Sequence, residues 1–538
     1  MKRILAVAAA GLGLLVSAGQ ATAAPGDSAL QLAGQAATSG QAAGAQSGAS
    51  QSQPSNKNIS VRVLSPGDNG SVTQSNTVSS DATAANANVT GQSADQTQSG
   101  SCNCAGGTQA VGQEADSSQA AGALSYASQS GASNTNIPVR VLSPGDNGDV
   151  EQSNSVESDA TAENANLTGQ DAEQDAAGGA GTQAIGQEAD SEQHAAAASA
   201  AEQKGAENTN ISVRVLSKGD DGDVEQTNSV DSSATALNLN GLEQDADQDQ
   251  SGRDCKCGSD GIQAIGQEAK NEQAAAAVSL ASQEAGRDRC HCDSGGNVNT
   301  PVRVDSKGGG GDVEQSNTVD SSATAANLNL TKQDADQEQG GSGTQAIGQE
   351  AKSDQTATAL SGAFQHGASN SNTPVRVDSN GYDGDVEQSN SVESDATALN
   401  VNLTKQDAEQ DQSGRDCKCG SDGIQAIGQD AKSEQDAFAG SLAIQAFGRG
   451  KCGCPAGGNT STPVGVGGHS AGGDVDQSNS VASSATALNL NALKQDADQE
   501  QSGGGIQAIG QSAKNRQHAI GLSAALQLAA SNGRMIAD

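Results

Sequence analysis

Along Gln263 to Gln283, "QAIGQEAKNEQAAAAVSLASQ", restricted and variable positions alternate one by one. Six other stretches share this layout, starting at Gln31, Gln109, Gln183, Gln345, Gln425 and Gln507. Counted from the first Gln, offsets 4, 10 and 20 are Gln in every copy, offsets 6, 12 and 18 are Ala, and offset 16 is Ser. Odd offsets drift, as offset 7 shows with Thr38, Asp116, Asp190 and Lys270. An α-helix would restrict offsets 0, 3, 4 and 7 together, whereas a strand restricts every second position. The pattern therefore predicts strands despite the helical propensity of alanine. Gly at offset 3 breaks the rule in every copy, and predicts a bend or a close backbone contact.

A second module alternates with the first, starting at Gln74, Gln152, Gln226, Gln315, Gln388 and Gln477. Between Gln388 and Gln412 every second residue is Gln, Asn, Val, Ser, Ala or Thr, while the neighbours include Glu393, Asp395, Lys405, Asp407, Glu409 and Asp411. One face is small and uncharged, and the other is solvated. A strand of such length would run to roughly 80 Å, well beyond usual strand lengths, so each module is expected to fold back as strand, arc, strand.

Stacking such coils at about 4.8 Å satisfies buried amides, because each Gln or Asn donates to one neighbour and accepts from the other. The expected fold is all-β: a β-solenoid of about thirteen stacked strand-arc-strand coils with inward Gln, Asn, Ala and Ser ladders. The ladder residues include Gln263, Gln267, Gln273 and Gln283 in the first module and Gln226, Asn228, Asn238, Asn240 and Gln244 in the second. With the two modules as alternate coils of one ladder, Ile265 falls beside Val230 and Gln273 beside Asn238. The connections, such as "VRVLSPGDNGDV" from Val139 to Val150, predict protruding β-hairpins with Asn-Gly or Asp-Gly turns.

Composition narrows the class. The chain has no Trp, two Tyr, three Phe and 68 Gly, and its formal charge of -37 would by itself suggest disorder. Only the repetition argues for order. The start, with Lys2 and Arg3 before a short apolar run and then Ala21, Thr22 and Ala23, reads as a signal peptide over residues 1-23, followed by one repeat domain over 24-538 with modules from residue 31. The expected location is secreted, extracellular or at a bacterial cell surface, without membrane insertion.

Ten cysteines form five Cys-x-Cys pairs, all in connections: Cys102 and Cys104, Cys255 and Cys257, Cys290 and Cys292, Cys417 and Cys419, Cys452 and Cys454. Export makes disulfides the expectation. In a folded-back coil the pair at 255 would meet the pair at 290, and 417 would meet 452. Soft-metal binding is the other reading of Cys-x-Cys. The acidic turns "GDNGD", "GDDGD" and "GYDGD" are either ordinary turns or weak calcium ligands. No nucleophile with a base, phosphate loop, cofactor motif or basic patch stands out, so neither an enzyme nor a nucleic-acid binder is expected. The outward Thr column, Thr83 to Thr486, fits a strand former.

The palette of "QAIGQEAKNEQ" resembles curlin, the secreted amyloid subunit of bacterial curli, with repeats of Ser-x5-Gln-x-Gly-x2-Asn-x-Ala-x3-Gln. Gln263, Gly266, Gln267, Ala269 and Gln273 stand for its Gln, Gly, Asn, Ala and Gln, with the spacing off by one residue in places. The resemblance implies a structural protein of an extracellular fibre, matrix or coat. Its expected partners are further copies of itself or other matrix proteins. A monomeric adhesin or cation-binding module is the alternative.

Overall fold

A computed structural model describes residues 12–23, 30–99, 107–177, 181–250, 261–284, 296–340, 343–412, 423–449, 455–456, 458–467, 470–471, 473–501, 505–531 and 534–537. Each module is one unbroken strand. In chain order these are β1 (Leu30–Ser52), β2 (Val72–Ser99), β3 (Thr108–Ser130), β4 (Val150–Ala177), β5 (Thr182–Lys204), β6 (Val224–Gln250) and β7 (Gly261–Glu284). They continue as β8 (Val313–Gln339), β9 (Gly343–His366), β10 (Val386–Gln412), β11 (Gly423–Arg449), β12 (Val475–Gln501) and β13 (Gly505–Ser531). No helix occurs among the described residues.

Among these thirteen, odd strands pair in parallel only with odd strands to build one wall and even strands only with even strands to build the other, while Pro455–Ala456 and Arg534–Ala537 add short antiparallel pairs at the ends of β11 and β13. The register is position on position: Gln263 lies between Gln183 and Gln345, and Asn238 between Asn164 and Asn327. The fold is the expected all-β solenoid of parallel stacked strands with polar inward ladders. Its coil, however, takes both modules, so the thirteen modules make six coils and a final strand rather than thirteen coils. Successive equivalent residues are 73 to 89 positions apart. The expected juxtaposition of Ile265 with Val230 does not occur: Ile265 packs against Ala246 and Ala335, and Val230 against Ala201 and Ala281. Like modules stack on like because only identical side chains at each offset keep every amide opposite an amide.

The walls face each other with their strands antiparallel, as the contacts Ser47 to Ser80, Ser39 to Asn88 and Gln35 to Ser93 show. The arc expected within each module is absent because the opposite wall covers the inward face for its whole length. Inward side chains are too small to need curvature. The centre of the core is alanine on alanine, with Ala84, Ala162, Ala236, Ala325 and Ala398 fully buried. Towards one end Val156, Val230, Val319 and Val392 sit among alanines, and towards the other Ile185, Ile265, Ile347 and Ile427 do so. A large residue on one wall meets a small one on the other, which keeps the gap even. Long, flat strands are unusual, and side-chain ladders are among the devices that stabilise them.

The connections are not hairpins. Val213–Val215, Val302–Val304 and Val375–Val377 stack in parallel from coil to coil in a third sheet and do not pair with the strands that follow them. A residue at positive φ follows each, for example Leu216 (51°) and Asp305 (47°), and turns the chain into the next even strand. The glycine at offset 3 also departs from expectation, since Gly34, Gly186, Gly266 and Gly428 have open space where a side chain would be and lie within continuous strands. Residues Leu12–Ala23, inside the expected signal peptide, lie as a strand along Ala87 to Gln98 of β2.

The alanine core sets a test. Ala236→Leu inserts three carbons between walls with no slack, and is expected to cost about 1–3 kcal/mol. Leu237→Ala, whose side chain points outward, should stay within about 0.5 kcal/mol of the parent. Urea unfolding followed by far-ultraviolet circular dichroism reads both.

Candidate functional site: ladders, charged columns and open ends

The ladders begin from the amide chemistry. Gln263 donates from Nε2 to Gln183 Oε1 at 2.9 Å and accepts from Gln345 at 2.9 Å. Gln267 and Gln273 donate to Gln187 at 2.9 Å and Gln193 at 2.7 Å, while Gln283 donates to Gln203 at 2.9 Å. On the even wall Gln226 donates to Gln152 at 2.8 Å and Gln244 to Gln170 at 2.8 Å. Asn228, Asn238 and Asn240 donate to Asn317, Asn327 and Asn329, each at 2.9 Å.

The directions differ between the two residue types. Every glutamine just named donates towards the first coil, and every asparagine towards the last. The rule reaches both ends: Gln109 donates to Gln31 and Gln507 to Gln425, whereas Asn88 donates to Asn166 and Asn402 to Asn491. At the β12 and β13 end the glutamines therefore present acceptors and the asparagines donors. The β1 and β2 end presents the converse.

The same stacking places like charges in columns. Outside the even wall, Asp245, Asp334 and Asp407 form one column and Asp247, Asp336 and Glu409 the next. Partial burial, then the neighbouring carboxylates, push Asp247 and Asp320 up to about 6 and Asp336 up to about 7. On the odd wall the columns alternate in sign. Lys270 reaches Glu188 at 3.1 Å and Glu268 at 3.0 Å, and Lys352 reaches Glu350 at 2.7 Å and Glu268 at 3.5 Å.

Arginine makes a ladder that the sequence reading passed over. Arg62, Arg140, Arg214, Arg303 and Arg376 are in register, and Arg140 and Arg214 are fully buried. Seven residues after each stand Asn69, Asn147, Asp221, Gly310 and Asp383. Arg140 meets Asn147 at 2.9 Å and Arg376 meets Asp383 at 2.6 Å. Asp221 holds Arg214 at 2.8 Å and also Arg303 at 2.5 Å, whose own coil has glycine in that place. Burial pushes the Asp221 carboxyl up, but Arg303 and Arg214 more than offset it and hold it below the usual range. The signal available in the sequence was Val-Arg-Val recurring with an acid or amide seven residues on.

The acidic turns use their carboxylates on the next coil: Asp146 Oδ1 accepts from the Asp220 amide at 2.7 Å, and Asp312 Oδ1 from the Asp385 amide at 3.0 Å. Beside them, Asp223, Asp312 and Asp385 flank buried Val224, Val313 and Val386, with Glu225, Glu314 and Glu387 on the other side. No three His, Cys, Asp or Glu converge on one point among the described residues. All ten cysteines lie outside the described residues. One unbroken strand, β7, separates the loop of Cys255 from that of Cys290, and β11 separates Cys417 from Cys452. The fold-back that motivated linking those pairs is absent. His194 is exposed beside Glu192 at 2.9 Å. The chain matches no family model, no curated protein and no solved structure.

Two outcomes follow for stability. Asp221→Ala leaves two buried guanidiniums without their carboxylate and is expected to cost about 3–5 kcal/mol, while Asp385→Ala on the exposed turn should cost under about 1 kcal/mol. Asp247, Asp320 and Asp336 bind protons more tightly folded than unfolded. Their contribution is therefore favourable at low pH and is lost as pH rises from about 4 towards 7. Melting temperature is expected to rise on acidification from pH 8 to pH 5.5, and 1 M NaCl should shrink the difference.

Proposed function

We propose that this chain is a secreted structural protein of an extracellular fibre, matrix or surface coat, and that copies join end to end through the edges of β12 and β13 on one side and β1 and β2 on the other. One observation carries the reading: the opposite directions of the glutamine and asparagine ladders. The last coil offers Gln507, Gln511 and Gln517 oxygens as acceptors, since their amide nitrogens are spent on Gln425, Gln429 and Gln435. It offers Asn491 as a donor, since Asn491 accepts from Asn402. The first coil is the complement, because Gln31 and Gln35 already accept from Gln109 and Gln113. Head-to-tail joining continues every column, whereas two like ends would set acceptor against acceptor and donor against donor.

Charge agrees with this polarity. The module from Gln31 to Gln51 has no charged residue, and that from Gln507 to Gln527 has Lys514 and Arg516 but no acid. The two least acidic odd strands are the terminal ones, so repulsion at a junction is smaller than the total charge suggests. The resemblance to curlin repeats points the same way. In the secreted chain, loss of residues 1-23 would leave β2 open along its edge.

Electron microscopy of the purified mature protein tests the reading, with fibres expected on acidification or with millimolar calcium. The pair Asn479→Asp and Asn491→Asp replaces donors at the C-terminal end by acceptors. Each unmatched group costs about 1–3 kcal/mol, so the concentration needed for fibres should rise at least about fivefold per site. A wild-type protein that stays monomeric throughout, or a variant that elongates as well as wild type, would sink the proposal. A monomeric adhesin or cation-binding module is the second reading, favoured by the acid columns beside Val224, Val313 and Val386. Saturable calcium uptake by a chain that never forms fibres selects it.

A further inference from the structure

The outer face of the odd wall is divided. Offsets 5 to 9 carry the lysine and glutamate columns, but offsets 13 to 17 carry none of the charges in β3, β5, β7, β9, β11 or β13. The middle column there holds Leu124, Val278, Leu360 and Leu522, exposed by 46%, 43%, 39% and 59%. Tyr126 and Leu280 flank it at 43% each, with Ile520 at 52%. Two of the three phenylalanines of the chain, Phe364 and Phe438, lie in or beside the same area.

The patch is level rather than ribbed by single large residues. A Cβ on Gly362 would stand 3.0 Å from Phe364 and 3.2 Å from Leu280, and one on Gly440 would stand 2.9 Å from Leu360. Neighbouring side chains thus lie over the glycines and fill the hollows. Six strands at about 4.8 Å and three outward positions at about 6.8 Å give roughly 30 Å by 20 Å, or about 600 Å². This reaches the top of the roughly 300–600 Å² range of the largest apolar patch on a typical monomer. It approaches the roughly 800 Å² that each partner contributes to a stable interface.

We infer that this face is a docking surface for a second copy of the chain, wall to wall, about a two-fold axis parallel to the stack and passing through the offset 15 column. Such an axis sets each strand antiparallel to its own copy, so offset 13 meets offset 17. Small then meets large in three strands, where Gly122 faces Tyr126, Ala276 faces Leu280 and Ala524 faces Ile520, while in β11 Phe438 meets Leu442. At the rim His194 faces Glu202 and Glu192 faces Lys204, which pairs opposite charges, although Glu272 faces Glu284. The pairing also puts the acid-rich even walls on the two outer sides, as far apart as the molecule allows. Both copies keep the same polarity, so paired stacks remain able to grow from the same end.

The test is kept separate from end-to-end joining by working at pH 8 and low micromolar concentration, and by measuring mass rather than fibres. Sedimentation equilibrium of the mature protein is expected to give twice the single-chain mass. The double variant Leu280→Lys and Leu360→Lys should raise the dimer dissociation constant at least 100-fold with an unchanged circular dichroism melt. Thr397→Lys, on the outer face of the opposite wall, should leave it unchanged. Should the double variant misfold, Leu522→Lys in terminal β13 disturbs only the last strand and is expected to weaken the dimer at least tenfold. In the unaltered protein, hydrogen exchange should slow at β7 and β9 on raising concentration. A wild-type chain that stays single up to 100 μM, a dimer indifferent to Leu360 and Leu522, or a monomer that instead binds phosphatidylcholine vesicles through this face would overturn the inference.

Discussion

Everything in this molecule depends on the amide stack. A glutamine buried between two walls must donate and accept, and the cheapest partner is the same glutamine one coil away at about 4.8 Å. That requirement dictates identical residues at equivalent offsets, hence parallel strands in strict register, hence like modules over like modules. It also explains how a chain with no Trp and 33% hydrophobic residues, largely alanine, holds a core. Alanine closes the gap between the walls at the centre, and amides fill the rest, bonded wherever like stacks on like; Asn271, which stacks between Ser191 and Ser353, is the buried amide left without a partner among the described residues. Connections are released from the constraint: coil lengths vary from 73 to 89 residues while the ladders continue unbroken.

Register has an electrostatic cost. Whatever is written at an outward offset is also stacked at about 4.8 Å, so repeated aspartates become columns of carboxylates. The protein answers in three ways. On the odd wall, lysines interleave with glutamates, with Lys352 between Glu350 and Glu268. On the even wall Lys332 meets Glu243 and Lys405 meets Asp407, while burial and neighbouring carboxylates push Asp247, Asp320 and Asp336 up. In the third sheet buried arginines are stacked on one another. There the isolated carboxylate of Asp221 serves two coils, because Gly310 takes the acid's place in the next. Strand pairing alone would tolerate neutral residues at that point. A buried guanidinium column without Asp221 would not be tolerated.

The period of two, the inward palette and the parallel stacked architecture were legible in the sequence, because each offset repeats over many copies. The composition of a coil was not. The two modules share a length and a palette, so Gln273 over Asn238 looked as good as Gln273 over Gln193. Only the requirement of unlike directions, Gln towards one end and Asn towards the other, separates these choices, and a one-dimensional pattern does not display it. The expectation of an arc in each module came from ordinary strand lengths, which reflect twisted sheets with bulky side chains. Alanine and amide walls escape that limit. The Val-Arg-Val segments read as hairpin arms because a turn follows them, yet their hydrogen bonds are used up between coils.

The division of labour between the two walls then determines what the object is as a material. Its ends are polar, directional and low in charge, which suits addition of identical units. The even wall is acidic towards both ends of its outward face, with Thr and Leu between, and the odd wall combines a neutralised strip with an apolar one. Apolar attraction is nearly indifferent to salt, while repulsion between the acid walls falls with a screening length of about 8–10 Å at physiological ionic strength. Growth along the stack and pairing across the odd wall therefore answer to different variables. A change in pH or salt acts mainly on the columns of carboxylates, and so governs how closely finished stacks approach one another more than whether each stack holds together.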